Sequence, residues 1–116
     1  MQCAGSGALQ NRAEMLFGRN IGDHLGVSDA DFARFLDREV SARFPDGLTV
    51  IDAEGRWRDG AASVREPSKL VVIVLPGRGD DQAKLGQIAQ AYASQFQQQA
   101  VLTTTAPVCS SLWRKP

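Results

Sequence analysis

The chain lacks several of the features that usually identify a function. It has two cysteines and one tyrosine among 116 residues, its 13 basic residues are balanced by 13 acidic ones, and aromatic residues make up 7%. Without an excess of positive charge it lacks the counterion-release affinity of nucleic-acid-binding proteins, and it has no polybasic block for anionic membranes. Composition therefore predicts no nucleic-acid partner.

Long apolar runs are also absent. The longest is Leu70–Leu75, whereas a membrane-spanning helix needs about 20 residues. Residues 1–12 show neither the basic nor the apolar stretch of a signal peptide, so a cytoplasmic start and a lost leader both stay open. The chain has only two cysteines, and they are not in a CxxC spacing, so they form neither a disulfide framework nor a zinc site. We predict that the protein uses no metal and no cofactor.

The length suits one domain. A chain of this size buries about 65% of its unfolded surface, which is enough for one core and too little for two. We predict a flexible N-terminal segment over residues 1–12, a single domain over residues 13–112 and a tail over residues 113–116.

Apolar residues at helical spacing predict two helices. The first opens at Ser28, a capping residue with Asp31 three positions later, and ends before Pro45. The second follows the turn at residues 76–79, with Asp80 or Asp81 as its cap. Its apolar stripe comprises Leu85, Ile88, Ala89, Tyr92 and Phe96.

Four strands are predicted around these helices, over residues 13–21, 48–58, 64–75 and 100–105. Glu54-Gly55 indicates a bulge or a second turn, and Pro67 indicates that the third strand starts at an edge or a bulge. The order is that of the ferredoxin-like βαββαβ sandwich, an α+β fold with a four-stranded antiparallel sheet and two helices on one face. The other face would be open, and apolar residues there would suggest a ligand, a partner or a second subunit.

Two candidate residues lie near the end of the first strand. His24 sits in a glycine-flanked loop beside Asp23 and could act as a general base, but no nucleophile accompanies it, and a solvated histidine is the favoured interpretation. Arg19 could bind an anion. A salt bridge from Arg19 to Glu66 or Asp52 is the favoured alternative.

The hairpin between the second and third strands is basic and aromatic. It carries Arg56, Trp57, Arg58 and Arg65. This group is either a recognition patch or, as we favour, a tryptophan lying across the sheet with arginines stacked on it. Glu66 and Lys69 are further ligand-binding candidates, with cross-strand ion pairing as the alternative.

The two cysteines come within reach of each other in this topology. The last strand would run antiparallel to the first, and Cys3 lies about ten residues before the first strand, at most about 35 Å of chain. A Cys3–Cys109 disulfide and a buried, unpaired Cys109 both stay open.

Several segments together resemble the bacterial domain of unknown function 3574. They are residues 17–19, 27–29, 43–50, 52–58, 65–69 and 99–102, and RFPDGLTV at residues 43–50 is the most specific. The resemblance covers about residues 13–112 and implies a small periplasmic or secreted protein, often a lipoprotein, with no assigned activity. It makes Cys3 a lipidation candidate, with the Gly/Ser run after it as the tether. A Cys3–Cys109 disulfide would exclude that anchor.

Two functions are compatible with these observations. We favour a non-enzymatic envelope or secreted domain that binds a small molecule or a protein through the open sheet face, with a homodimer as one use of that face. The alternative is a cofactor-independent enzyme of the dimeric α+β barrel type, in which two sheets close face to face and Arg19, His24 or Trp57 line a pocket. The enzyme requires His24 and Arg19 to meet in one enclosed cavity.

Overall fold

The structure, a computed structural model, describes residues 2–116. Its elements in chain order are β1 (Ala8–Gly18), β2 (Asn20–Ile21), β3 (His24–Leu25), α1 (Asp29–Phe35), β4 (Thr49–Asp59), β5 (Ala62–Val74), α2 (Asp81–Gln95) and β6 (Leu102–Ser110). Helix α1 continues as a π-helical stretch over Leu36–Val40, so this helical region ends a few residues before Pro45. No helix within residues 2–116 is long and apolar enough to cross a membrane.

The long strands form one four-stranded antiparallel sheet in the order β4-β5-β1-β6. The protein is therefore an α+β fold with β1 and β5 in the middle of the sheet. Strands β2 and β3 pair with each other in a short ribbon between β1 and α1.

The core lies between one face of the sheet and the helices. Ala13, Met15 and Phe17 alternate along β1 and are fully buried, and Val71 and Ile73 lie opposite Met15 and Ala13 on β5. Because strand residues point alternately to the two faces, these residues define the covered face of the sheet.

Both helices pack on this covered face through aromatic rings. Phe17 lies 5.4 Å from Phe32 and 5.7 Å from Phe35 on α1, and 4.8 Å from Tyr92 on α2, measured between ring centroids. All three contacts are edge-to-face, the arrangement that aromatic quadrupoles favour.

The start of α1 is capped as predicted. The Ser28 hydroxyl accepts the N–H of Asp31 at 3.0 Å, and the Asp31 carboxylate accepts the N–H of Ser28 at 3.3 Å. At α2, Asp80 makes no side-chain cap. Asp81 accepts instead from the N–H groups of Gly77 and Arg78, at 2.9 and 3.0 Å, and so holds the preceding turn closed.

Strand β1 begins earlier than predicted. Residues 8–12 were expected in the flexible segment 1–12, but they pair with residues 106–110 of β6. Their sequence, ALQNR, is polar after Leu9 and carries no alternating apolar pattern. They extend the sheet because β6 runs on to Ser110 and offers backbone partners.

The predicted bulge or turn at Glu54-Gly55 is wrong. Strand β4 keeps one continuous register with β5 from Thr49 to Asp59, and Gly55 does not have a positive φ. The prediction for Pro67 agrees with the structure. Strand β1 ends opposite Ser68, so at Pro67 strand β5 pairs with β4 and no longer with β1. The missing N–H of Pro67 therefore removes no ladder hydrogen bond to β1.

Candidate functional site

Most of the candidate residues lie near the end of the sheet where β1 stops, but on two different faces. Lys69 and Arg19 belong to the covered side, whereas Glu66 and Trp57 lie on the open face. The two groups are described separately because they have different partners.

On the covered side, Lys69 and Arg19 are held by carboxylates of the same chain. The Lys69 ammonium lies 2.7 Å from Asp29 and 2.5 Å from Asp52, and the Arg19 guanidinium lies 3.1 Å from Asp29. Arg19 also donates from Nε to the carbonyl of Val27 at 3.0 Å. The expected partners of Arg19, Glu66 and Asp52, are therefore wrong: α1 begins beside β1, which brings Asp29 to Arg19.

These contacts keep the cluster charged. The hydrogen bond from Lys69, and then the positive charges of Lys69 and Arg19, hold the pKa of Asp29 below its usual value. Hydrogen bonds to Asp29 and Asp52 raise the pKa of Lys69 despite its desolvation. Lys69 and Arg19 thus join the start of α1 to the sheet, and their charges are already matched.

On the open face, the Glu66 carboxylate lies directly against Gly18. A Cβ at position 18 would come 2.8 Å from Glu66 Cδ, so the close approach depends on glycine. The N–H of Asn20 donates to Glu66 Oε2 at 2.9 Å. One edge of the carboxylate is fixed by this bond, and the residue remains partly exposed.

From the other side, Gly18 is held by Tyr92. The Tyr92 hydroxyl donates to the carbonyl of Gly18 at 2.6 Å. Burial raises the pKa of Tyr92, the negative charge of Glu66 raises it further, and the positive charge of Arg19 lowers it. The core phenol and the open-face carboxylate are therefore coupled through one backbone position.

Next to Glu66, the Trp57 ring lies over Gly55. Cζ3 of Trp57 is 3.4 Å, and Oγ of Ser68 is 3.1 Å, from the position that a Gly55 Cβ would occupy. Gly55 is the direct cross-strand partner of Glu66, and Ser68 beneath them is buried. Trp57 itself is 46% exposed, so the outer side of its ring is available beside the carboxylate.

An apolar row crosses the same face. Its residues are successive cross-strand partners on all four long strands, namely Ile51, Leu70, Leu16 and Leu102. Ile51 is 46% and Leu102 63% exposed, and the two central residues are partly buried. The open face thus combines an apolar row with the Glu66–Trp57 group.

His24 does not join either group. Its side chain is 74% exposed, with Asp23 Oδ1 at 3.4 Å from Nδ1, and it lines neither the recess beside Phe44 and Pro76 nor the recess at the β4–β5 hairpin. The enclosed His24–Arg19 cavity that the enzyme hypothesis required is not formed, because Arg19 turns inward to Val27 and Asp29.

Arg65 lies on the β4–β5 hairpin, directly opposite Arg56. The sequence favoured arginines stacked on Trp57, and this prediction is wrong. Within residues 2–116 the cation–π contact is between Lys84 and Phe44. Trp57 packs on Gly55 and Arg56 turns to Glu54, at 2.8 Å, so the ring and the guanidinium go to different partners.

Cys3 is bonded to Cys109. Of the two alternatives that the sequence left open for Cys109, a disulfide and an unpaired thiol, the structure has the disulfide. The hypothesis that Cys3 is lipidated is wrong in this structure, because a sulfur in a disulfide carries no thioether-linked lipid. Within residues 2–116, no three His, Cys, Asp or Glu side chains are grouped in a way that could hold a metal ion.

The sequence did not indicate the roles of Gly18, Gly55, Ser68 and Tyr92. Glycines inside strands are a general signal of close approach. Which atoms approach depends on the pairing of β1, β4 and β5, which a single sequence does not reveal.

Comparisons with known proteins give a family and a fold. The sequence matches the family described as protein of unknown function (DUF3574) over residues 12–112. No curated protein matches it. Among solved structures it is similar to a phage SAM lyase in the apo state, with 17% identity, 98% of each chain covered and a TM-score of 0.65. A phage SAM lyase in complex with S-methyl-5'-thioadenosine shows 16% identity, 98% coverage of each chain and a TM-score of 0.67. At these identities the similarity shows a shared fold.

Proposed function

The chain belongs to the DUF3574 family of proteins of unknown function, and from its own residues we propose that it is a small-molecule-binding domain whose site is the open face of the sheet at Glu66 and Trp57. The observation that carries the proposal is the Glu66 carboxylate fixed on Gly18 beside the half-exposed Trp57 ring. We refer to these two side chains as the Glu66–Trp57 site.

The chemistry of this site favours a ligand that carries a positive charge next to a flat ring. The Asn20 N–H bonds only Oε2, so Oε1, which lies against Gly18, has no hydrogen-bond partner within residues 2–116 and can attract a cation. A tryptophan face attracts cations and stacks on aromatic rings. Glu66 and Trp57 are diagonal cross-strand neighbours, a relationship that separates residues by about 7–8 Å and suits a ligand of nucleoside size.

A sulfonium nucleoside has both properties. SAM, S-adenosylmethionine, joins a positively charged sulfur to an adenosine, and the similar phage structures are SAM lyases, one of them holding S-methyl-5'-thioadenosine. SAM is therefore the first ligand to test.

The fold and the apolar row support a site shared by two copies. The strand order with two helices on one face supports the ferredoxin-like assignment made from the sequence. We propose that a second copy covers Ile51, Leu70, Leu16 and Leu102 and closes the Glu66–Trp57 site. Arg12 and Glu14 lie beside this row 3.5 Å apart, so a two-fold axis would set each Arg12 opposite the other copy's Glu14.

The disulfide supports a periplasmic or secreted location, as the resemblance implied. Disulfides persist in oxidising compartments and are rare in the reducing cytoplasm. We place the protein in such a compartment as part of the proposal, without a lipid on Cys3.

A second candidate function, cleavage of SAM, is favoured by the shared fold. The carboxylate of the substrate itself would form a C–O bond to the amino-acid carbon that is bonded to sulfur. The bond between that carbon and sulfur would break, and its electron pair would stay on sulfur, which becomes a neutral thioether. The products would be S-methyl-5'-thioadenosine and a lactone. The negative charge of Glu66 stabilises the positively charged sulfur of bound SAM. In the transition state for cleavage that positive charge is already decreasing, so Glu66 stabilises the transition state less. The residue therefore favours SAM binding more than it accelerates SAM cleavage.

Calorimetric titration of the purified protein with SAM and with neutral S-methyl-5'-thioadenosine tests the proposal. We expect SAM to bind more tightly, and Glu66→Gln to reduce SAM affinity by about tenfold while changing affinity for the thioether little. Asp37→Asn removes the same charge from an exposed position of the π-helical stretch, away from the site and the apolar row, and serves as the matched control. Chromatography of the mixture for S-methyl-5'-thioadenosine separates binding from cleavage.

The proposal fails if neither nucleoside binds, or if Glu66→Gln and Trp57→Ala leave the affinity for both unchanged. An equal effect of Asp37→Asn would also contradict it, because the effect would then be that of net charge alone.

A further inference from the structure

The β4–β5 hairpin extends beyond the rest of the sheet. Strand β1 ends at Gly18, opposite Ser68, so residues 54–67 form a two-stranded arm. On this arm Trp57 and Glu66 point to the open face. Because side chains alternate, three exposed arginines point to the opposite side, namely Arg56, Arg58 and Arg65. We call them the arginine triad.

The triad places like charges next to one another. Arg56 and Arg65 are direct cross-strand partners, whose Cβ atoms lie about 4.5–5.5 Å apart, and Arg58 is diagonal to Arg65 at about 7–8 Å. Like charges directly opposite each other destabilise a strand pair. The free hairpin therefore carries an electrostatic cost that a bound anion would relieve.

The chain neutralises one of the three charges. Glu54 lies on the same side of β4 and pairs with Arg56 at 2.8 Å. Within residues 2–116, neither Arg58 nor Arg65 takes part in an ion pair. Two guanidinium groups thus remain free for an external partner, with a third beside them.

We propose that the arginine triad is a binding site for the phosphate group of a small soluble molecule. A guanidinium presents parallel N–H donors that match two oxygens of a phosphate, and several arginines around one phosphate satisfy its remaining oxygens. Arg56 and Arg58 line a recess at the hairpin end, together with Trp57 and the turn residues 60–63, and this recess leaves room for a small anion.

A soluble phosphate fits this site better than a lipid headgroup. The tip of the arm is Gly60-Ala61, with Ala62 after it, and it offers no large apolar side chain to enter a bilayer. The triad points to the side of the arm opposite Glu66, and its recess shares only Trp57 with the Glu66–Trp57 site, so phosphate binding here does not require the proposed function.

Titration with inorganic phosphate and pyrophosphate at constant ionic strength, followed by amide chemical shifts, tests this site. We expect saturable shifts centred on residues 54–67, with pyrophosphate binding more tightly. Arg65→Gln and Arg58→Gln should each weaken binding by about tenfold. Arg34→Gln, which removes an equal charge from the exposed side of α1, should have little effect.

Several results would overturn the inference. One is a shift that never saturates, and another is equal weakening by Arg34→Gln and Arg65→Gln, which would show general charge attraction. Binding to phosphatidylglycerol vesicles without any response to free phosphate would assign the triad to a membrane surface. If Arg65→Gln unfolds the arm, as judged by amide dispersion, Arg65→Lys replaces it. Lysine keeps the charge but loses the paired donors, and an affinity equal to wild type would exclude specific phosphate recognition.

Discussion

The carboxylate of Glu66 occupies the space that a Cβ at Gly18 would need, and the hydroxyl of Tyr92 donates to the carbonyl of the same glycine at 2.6 Å. A buried aromatic residue of α2 and an acidic residue of the open face are thereby joined through one backbone position. A change at Gly18 should consequently be felt on both sides of the sheet.

Gly18→Ala should destabilise the protein. The added methyl would lie 2.8 Å from Glu66 Cδ, so Glu66 must move and its bond from the Asn20 N–H is lost. The carboxylate is the far end of a flexible side chain and can swing aside, so we expect only the cost of the lost hydrogen bond, about 0.5–1.5 kcal/mol in the free energy of unfolding, measured by urea denaturation. Gly86→Ala is the control. It has open space around its Cβ position within α2, and should gain about 0.5–1 kcal/mol. Equal stabilities of the two variants would show that the Glu66–Gly18 contact is not tight.

Tyr92 should titrate only when the protein unfolds. It is the single tyrosine of the chain, so the near-ultraviolet absorbance of tyrosinate reports this residue alone. Burial raises its pKa in the folded state, so its neutral form stabilises the fold below the unfolded pKa of about 10 and this stability is lost as pH rises above that value.

We therefore expect no tyrosinate signal near pH 10 in the folded protein, and a signal that coincides with the loss of circular dichroism at higher pH. Tyr92→Phe should remove this alkaline component of the pH dependence. Ionisation near pH 10 with the dichroism intact would contradict the burial of the phenol.

The local features of the fold could be predicted from the sequence, and the tertiary ones could not. The cap of α1 depends on Ser28 and Asp31, three residues apart, and the pattern alone identifies it. The partner of Arg19 depends on where α1 starts relative to β1. The sequence therefore favoured Glu66 or Asp52, while the structure brings Asp29 to this residue.

The glycines show the same limit. Gly60 in the predicted turn has a φ of 60°, as turn chemistry requires. Gly55 looked like a bulge for the same reason, but its lack of a side chain makes room for Trp57 and Ser68. Glu66 and Trp57 were candidates by residue type alone, and their proximity depends on the register of β4 with β5.

Removing the disulfide should lower stability substantially. Cys3 and Cys109 are 106 residues apart, and loss of a native disulfide costs about 2–5 kcal/mol. We expect Cys3→Ser/Cys109→Ser to unfold at lower urea concentration, with faster amide exchange in residues 8–12. Reduced wild type is the control and should behave like the double variant. Identical unfolding of the reduced and oxidised proteins would contradict the prediction.

A charge in the apolar row should break the proposed pair of copies. Ile51→Glu/Leu102→Glu introduces two charges at exposed ends of the row, so the fold should persist while association is lost. Sedimentation velocity should show a dimer for the wild type and a monomer for the variant. Leu25→Glu on β3, at a similarly exposed leucine, is the control and should stay dimeric. A wild-type monomer at high concentration would contradict the shared site.

The Cys3–Cys109 bond also determines how the domain responds to a pull on its two ends. Tension applied at residues 1 and 116 travels through the first few residues, crosses the sulfur–sulfur bond and leaves through the last few. Apart from the end of β6 at Cys109 and Ser110, the sheet and the helices lie outside this path. While the disulfide is intact, force on the two ends would therefore be transmitted through the sulfur–sulfur bond without unfolding the domain.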